Sequence, residues 1–332
     1  MVKNITPEIQ GYAHQIVKNV FGTHVKVKGF EWAMGGLYNK LFKVNTTDGD
    51  FVLKMECDKI FFATRKNQIE NELIGNRIFQ KAGIPCANVI ACDFTENDVG
   101  VRYICFEHIN GDADLWGNQI DKYDEITKAE IARQYKEAVL KMRDMTTSHF
   151  GSLSPSGILG RHETYDGYYL STLNLLIKDS EDYELFTDEE LPIVKAAAAK
   201  PLIYSKTYTP TFVHYDLGYH NLIWGNTQGG EDKVYVVDFG NALYGLPYME
   251  EIIFRIHGED TDIYELLDLD RDLYNFENNL IFDFEKMFWT VTERLTEDYA
   301  YSWHAENIRK AKTDTSRTHI TDLVDKCRKI LS

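Results

Sequence analysis

The sequence predicts an α+β protein: an N-terminal layer of five antiparallel strands carrying a helix, followed by a larger, mainly helical region. Three observations carry this expectation. Short apolar runs bounded by turn residues recur between residues 25 and 106. From about residue 126 the apolar spacing becomes helical. The charge balance changes where the pattern changes. Residues 1–106 hold 13 Lys and Arg against 11 Asp and Glu, a net of +2, whereas residues 107–332 hold 23 against 41, a net of −18. The chain therefore divides into an N-terminal lobe at 1–106, a connector at 107–111 and a C-terminal lobe at 112–332.

Bulk properties limit the classes to consider. With 332 residues, 44% of them hydrophobic, the chain can bury one large core or two moderate ones. No apolar run approaches the roughly 20 residues of a membrane span, and the start, MVKNITPEIQ, has no signal-like apolar stretch. Five cysteines, odd in number and without a CxxC pair, point to reduced thiols in the cytoplasm and to no zinc site. The net charge of −16 argues against nucleic acid or an anionic membrane as partner.

In order along the chain, Ile9, Tyr12, Ala13, Ile16, Val17 and Val20 give a helical face over about 6–21. Strands are expected at 25–32, 41–44 and 51–55, the last after the turn Thr47-Asp48-Gly49-Asp50. Gly35 and Gly36, between the first two strands, let a turn approach closely; phosphates are one candidate and a plain hairpin turn another. Lys54 sits inside the third strand, where a solvent-facing position is the ordinary reading. A helical pattern starts at Glu72, with Glu70 nearby, and stops at Gly83-Ile84-Pro85. Two more strands are expected at 89–92 and 101–106, then a turn at Asn110-Gly111. Beyond these, helices are expected at about 126–149, 167–178, 189–199, 248–256, 264–274, 280–299 and 319–331. The run Asp268-Leu269-Asp270-Arg271-Asp272 lacks the glycine and the glutamate that a calcium loop needs.

One stretch holds the chemistry. Between Phe212 and Gly240, two apolar runs separated by a turn-rich segment each border a polar cluster, His214-Tyr215-Asp216 with Asn221, and Asp238-Phe239-Gly240. Two carboxylates and an amide brought together by a hairpin suit phosphoryl transfer from a metal-bound nucleotide. One carboxylate receives or orients the proton of an acceptor hydroxyl; the amide and the other carboxylate hold magnesium on the phosphates.

Taken together and in this order, the motifs resemble those of the aminoglycoside phosphotransferase and choline kinase family, the small-molecule relatives of protein kinases. Gly35-Gly36-Leu37-Tyr38-Asn39 is similar to its GGxxN nucleotide loop, Val52-Leu53-Lys54 to its lysine strand and Glu72 to the glutamate paired with that lysine. Residues 103–111 resemble its hinge, His214-Tyr215-Asp216 with Asn221 its HGDxxxxN loop, and Asp238-Phe239-Gly240 its metal-binding segment. Gly245-Leu246-Pro247-Tyr248-Met249-Glu250 resembles the following GxPxxDL, with Glu in place of Asp, and Tyr215 stands where the family has glycine.

The resemblance implies a protein-kinase-like fold and an ATP- or GTP-dependent, magnesium-assisted kinase of a small alcohol. It assigns catalysis to Asp216 and metal binding to Asn221 and Asp238. Nucleotide binding falls to Gly35, Gly36, Asn39, Lys54, Glu72, Glu107, His108 and Ile109. The −18 of residues 107–332 favours a cationic acceptor such as an aminoglycoside. Tyr215, Asp112, Asp114, Glu259, Asp260, Asp262 and Asp268 are the substrate candidates, and antibiotic resistance is the associated role. Choline would instead want an aromatic cage, for which Trp116, Tyr168, Tyr169, Trp289 and Trp303 are available; ethanolamine, homoserine and small sugars are further acceptors in the family. His214 is read as a buried, structural imidazole and His220 has no assigned role. A non-catalytic nucleotide-binding regulator is opposed by the presence of Lys54, Asp216, Asn221 and Asp238. A protein kinase is opposed by the helical segment 112–211 and by the lack of an APE segment after Asp238. A monomer or a homodimer is expected.

Overall fold

A computed structural model of the chain describes residues 7–32, 39–56, 68–96, 99–113, 115, 117–202, 208–227, 229–246, 249–250, 279–298 and 314–332. Strands β1 (Val27–Trp32), β2 (Asn39–Thr46), β3 (Gly49–Glu56), β4 (Val89–Asp93) and β5 (Tyr103–Glu107) form the expected five-stranded sheet. Its order is β1-β2-β3-β5-β4, and every pairing is antiparallel. Side-chain alternation along the inner strands explains the cover on both faces. Phe51, Leu53 and Met55 of β3, with Tyr103 and Cys105 of β5, form a cluster with Ala13, Ile16 and Val17 of α1 (Pro7–Phe21). Val52, Ile104 and Phe106 join another cluster, with Ile69 and Leu73 of α2 (Gln68–Lys81).

Strand periodicity puts Lys54 on the same side as Val52. A lysine that an ordinary half-buried strand would turn to solvent therefore lies beneath α2, only 5% exposed. Helix α2 starts at Gln68, so Glu72 belongs to its second turn and not to its beginning.

The turn expected at Asn110-Gly111 is instead the start of β6 (Asn110–Ala113). This strand pairs with β10 (Leu222–Asn226), which pairs in turn with β11 (Lys233–Val236). Gly111 stands opposite Gly225. A Cβ on Gly111 would lie 2.3 Å from the Trp224 carbonyl oxygen, and one on Gly225 would lie 2.3 Å from that of Asn110. The glycine pair is thus a packing requirement, since the two backbones cross closer than any side chain allows.

By packing, the chain falls into two compact units. The first contains the described residues of 1–58, 67–141 and 216–242; the second contains those of 59–66, 142–215 and 243–332. This grouping differs from the division at 107–111 because Ile223, Tyr235 and Val237 of the hairpin pack into the cluster beneath α2. Helix α3 (Glu125–Arg143) supports the hairpin in the first unit. The Gln134 Oε1 accepts the Val234 N–H at 2.9 Å, and the Tyr135 hydroxyl donates to the Leu217 carbonyl at 2.8 Å.

In the second unit, β7 (Phe150–Ser152), β8 (Arg161–His162), β9 (Thr211–Val213) and β12 (Leu243–Gly245) form a sheet of order β8-β7-β12-β9. The apolar run at Phe212 therefore belongs to this sheet and not to the hairpin with β11. Helices α4 (Tyr165–Asp182), α5 (Glu190–Ala198), α6 (Ile281–Asp298) and α7 (Asp314–Leu331) complete the unit, with α7 packed on α5 and α6. Thr164 caps α4 by accepting the Gly167 N–H at 3.2 Å. Tyr168 and Tyr169, considered above for a cation cage, are core residues, 1% and 2% exposed. The Tyr169 hydroxyl accepts the Leu280 N–H at 3.1 Å, which satisfies the one polar atom that burial would otherwise strand. Trp116, Trp303 and the Trp289 side chain lie outside what is described, as do residues 251–278 with the helices expected there. Among the described residues no helix is long and apolar enough to cross a membrane.

The glycine crossing gives a direct test. Gly225→Val should lower the urea midpoint by an amount equivalent to about 1–3 kcal/mol of over-packing. An unchanged midpoint would show that β6 and β10 need not approach so closely.

Candidate active site

Lys54 is the centre of the polar cluster in the first unit. Its Nζ lies 2.6 Å from Glu72 Oε2 and 2.8 Å from Asp238 Oδ1. The Lys54 and Glu72 side chains are buried, and that of Asp238 is partly exposed. Burial works against the ammonium charge, but the Asp238 and Glu72 carboxylates outweigh it and hold the lysine pKa above its ordinary value. Burial also pushes the Glu72 carboxyl up, and Lys54 opposes that push. The neighbouring Glu70 does not compete for the lysine, because Arg102 takes it. That guanidinium contacts Glu70 and also donates to both Glu56 oxygens, at 3.0 and 3.2 Å.

Asp238 follows β11 in the left-handed region, with φ 64° and ψ 63°. Glu72 accepts the Phe239 N–H. The Phe239 ring is fully buried and packs edge-on against Phe79, with centroids 4.6 Å apart. Gly75 of α2 makes room for it, since a Cβ there would lie 2.7 Å from the Phe239 Cβ. Neutral amides add to these ties. Asn71 Nδ2 donates to the Gly240 carbonyl at 3.3 Å, and Gln68 Nε2 donates to Asn241 Oδ1 at 2.8 Å. Asn39, at the start of β2, donates from Nδ2 to Gln68 Oε1 at 3.2 Å. Gly35 and Gly36 lie outside the described residues.

Asp216 and Asn221 are joined by a tight loop. Asn221 Nδ2 donates to the Asp216 carbonyl at 2.7 Å, and the Gly218 N–H donates to the same oxygen at 2.9 Å. The Asn221 carbonyl accepts the Val237 N–H at 3.0 Å, which sets Asn221 opposite the residue that precedes Asp238. His220 Nε2 lies 3.1 Å from Asp216 Oδ1, a contact that assigns this histidine a neighbour the sequence did not suggest.

The residues before Asp216 are held within the second unit. Glu250 is buried and accepts the His214 N–H; it also accepts the Tyr215 N–H, at 2.9 and 3.1 Å to its two oxygens. Glutamate in place of aspartate therefore still reaches this backbone with both oxygens. His214 is fully buried. Tyr215 has φ 63°, the conformation glycine adopts without strain, and its side chain is buried.

Of the hinge residues, Glu107 Oε1 accepts the Asn88 N–H at 2.9 Å and its Nδ2–H at 2.7 Å. His108 Nδ1 is 3.1 Å from Asn110 Oδ1, and burial, then Lys43, lowers the histidine's pKa. Ile109 is buried in the cluster beneath α2. Asp112 carries Lys122 at 2.6 Å and the Tyr123 hydroxyl; the hydrogen bond from Lys122, then that from Tyr123, lowers its pKa. Asp114, Glu259, Asp260, Asp262 and Asp268 lie outside the described residues. Sequence reasoning missed Gln68, Asn241 and Arg102. The only available signal was the dense polar start of α2.

The donor set fits magnesium. Asn221 commits its amide nitrogen to Asp216, which leaves its oxygen as the group to face a cation, and Asp238 presents a partly exposed carboxylate. Both are hard oxygen donors of the kind that share magnesium with phosphate and water.

Comparison with known proteins accords with this geometry. The model of the phosphotransferase enzyme family matches residues 33–265. No curated protein sequence matches the chain. Among solved structures, a fructosamine-3-kinase homologue from Haemophilus somnus 129PT is 13% identical with a TM-score of 0.56, over 96% of this chain and 97% of that one. A thermostable aminoglycoside phosphotransferase APH(4)-Ia in ternary complex with ADP and hygromycin B is 15% identical with a TM-score of 0.52, over 94% and 98%. APH(2")-IIia, solved with GDP and kanamycin, is 12% identical with a TM-score of 0.51, over 96% and 98%. These likenesses establish a shared, kinase-like fold.

The buried ion cluster makes a sharp prediction. Lys54→Met strands Glu72 without its cation and should cost about 3–5 kcal/mol in urea unfolding. Adding Glu72→Gln should restore part of that loss. A double variant as unstable as the sum of its parts would show that the two groups are not coupled.

Proposed function

Because the chain belongs to the phosphotransferase enzyme family and is a small-molecule kinase, we propose that it moves the γ-phosphate of ATP or GTP to a hydroxyl of a small cationic acceptor of aminoglycoside type. The observation that carries this is the placement of Lys54 between Glu72 and Asp238, in the unit that also holds Asp216 and Asn221. A buried lysine paired in this way is a ready partner for the α and β phosphates. Glu107, His108 and Ile109 border the base, and Gly35, Gly36 and Asn39 the phosphates. Asn221 and Asp238 would hold magnesium, which offsets phosphate charge when bound.

In the reaction, the acceptor hydroxyl oxygen forms a bond to the γ-phosphorus. The bond from that phosphorus to the β–γ bridging oxygen breaks, and ADP or GDP leaves with the electron pair. The hydroxyl proton passes to the Asp216 carboxylate, which the Asn221 and Gly218 contacts hold in its loop. Little covalent chemistry falls to the protein, so position and charge supply most of the rate.

The acceptor class rests on the −18 of residues 107–332 and on the company of folds that bind hygromycin B and kanamycin. Asp114, Glu259, Asp260, Asp262 and Asp268 are the carboxylates assigned to it, with Tyr215 shaping the approach. Asp112 contributes less, because Lys122 already offsets its charge. The likeness to a fructosamine kinase favours an amino-modified sugar as the second reading. The enzyme would act in the cytoplasm as a monomer or homodimer, and aminoglycoside acceptors would make it a resistance factor. The free thiols Cys86, Cys92, Cys105 and Cys327 suit that compartment.

The test is nucleoside-diphosphate release across aminoglycosides, choline-like amines and small sugars, with ATP and with GTP. Turnover is expected with polycationic sugars; failure of every cationic compound would overturn the acceptor class. Asp216→Asn should lower kcat on the order of 10²–10⁴-fold, the share of a general base, with nucleotide affinity kept. Asp238→Ala should weaken magnesium-nucleotide binding itself. Near-normal turnover in Asp216→Asn would remove Asp216 from the chemistry.

A further inference from the structure

The polar start of α2 contains a residue that no step above uses. Gln68 is 4% exposed, yet both ends of its amide are engaged. Its Oε1 accepts from Asn39 at 3.2 Å and its Nε2 donates to Asn241 Oδ1 at 2.8 Å. The stem of the same side chain lies against the segment it reaches. A Cβ built on Gly240 would meet Gln68 Cβ at 3.3 Å and Asp238 Oδ1 at 3.4 Å. Gly240 is thus caught between the glutamine and the carboxylate, with Asn71 holding its carbonyl from α2. Asp238 itself has a left-handed backbone, a conformation that persists only where its surroundings enforce it.

We propose that Gln68 is a positioning residue for Asp238: through Asn241 it fixes the backbone that aims this carboxylate at the nucleotide's metal. The inference rests on the phosphotransferase reading for the task of Asp238. The tether itself is a property of the free protein. Lys54 fixes the charge of the carboxylate, and the Gln68–Asn241 bond fixes the chain that carries it. Buried amides with both ends satisfied are stiff, because either end left alone costs the full desolvation of a polar group. Asn39 closes the chain on the β2 side, so one neutral side chain links the strand after the glycine loop, helix α2 and the metal segment.

The experiment uses Gln68→Leu, Asn241→Leu, their double variant and Asn241→Asp, which keeps an acceptor for Gln68. Amide hydrogen exchange of residues 239–242 is measured without nucleotide or metal, and the magnesium requirement of turnover is measured separately. Each leucine variant should speed exchange and raise the half-saturating magnesium concentration on the order of tenfold, as loss of a ligand's supporting partner does. The double variant should be no worse than Gln68→Leu, which already cuts the bond to Asn241 as well as that from Asn39, and Asn241→Asp should keep exchange within about twofold. A purely structural role predicts lower thermal stability with an unchanged magnesium requirement, and that result overturns the proposal. So does exchange within about twofold of the parent in both leucine variants. If Gln68→Leu does not fold, the two Asn241 variants decide by their difference. If the parent turns over no acceptor, the phosphotransferase reading fails while the exchange measurement still decides the tether.

Discussion

A charged ammonium buried beneath a helix is the constraint that the rest of the first unit satisfies. Lys54 is 5% exposed, and an unpaired charge at that depth would cost several kcal/mol. The two carboxylates that hold it come from a helix and from a hairpin distant in sequence, so the pairing fixes β3, α2 and the end of β11 against one another. The lysine is buried on the face that α2 and its apolar cluster cover, while α1 and its cluster cover the other face. A motif of chemistry and a solution to a packing problem are here the same three side chains.

The start of α2 sorts its partners by geometry. Gln68, Glu70, Asn71 and Glu72 project at successive angles around the helix. Each finds a different element: Asn241, Arg102, Gly240 and Lys54. Arg102 matters because it answers a question of identity. Two glutamates lie within reach of the lysine's strand, and removing Glu70 from the competition leaves Glu72 as the lysine's partner in α2. The neutral amides do by shape what the ions do by charge, and they keep their effect at salt concentrations that would screen an exposed pair.

Much of this was legible in the sequence, for reasons that differ by residue. The five strands announced themselves by alternation between turns, and all five are present. Lys54 and Glu72 could be named because of their place in an ordered set of family motifs; alone, each reads as an ordinary solvated charge. Gln68 and Asn241 could not, because a neutral amide in a helix start looks like any solvated residue until its burial is known. Tyr168 and Tyr169 show the converse failure: aromatic spacing that would suit a cage also suits a helix core, and only packing separates the two. Asn110-Gly111 read as a turn because Asn-Gly is turn chemistry. The need for glycine there comes from Gly225 on another strand, and local sequence carries no trace of it. The grouping of the hairpin with the N-terminal sheet was hidden for the same reason, since it rests on contacts between distant segments.

Tyr215 and Asp238 carry a consequence for how such a chain responds to heat. Both are non-glycine residues in the left-handed region, at φ 63° and 64°, one beside the proposed base and the other itself the proposed metal carboxylate. Such backbones are held on the order of 1–3 kcal/mol above relaxed ones. At Tyr215 selection for survival at higher temperature would recover little of that reserve, because glycine removes the strain but empties a buried aromatic site. At Asp238 no relaxed substitute keeps the carboxylate. Thermal adaptation of this protein is therefore expected to run through the helix caps and other sites away from the glycine crossing, leaving these two torsions as they are.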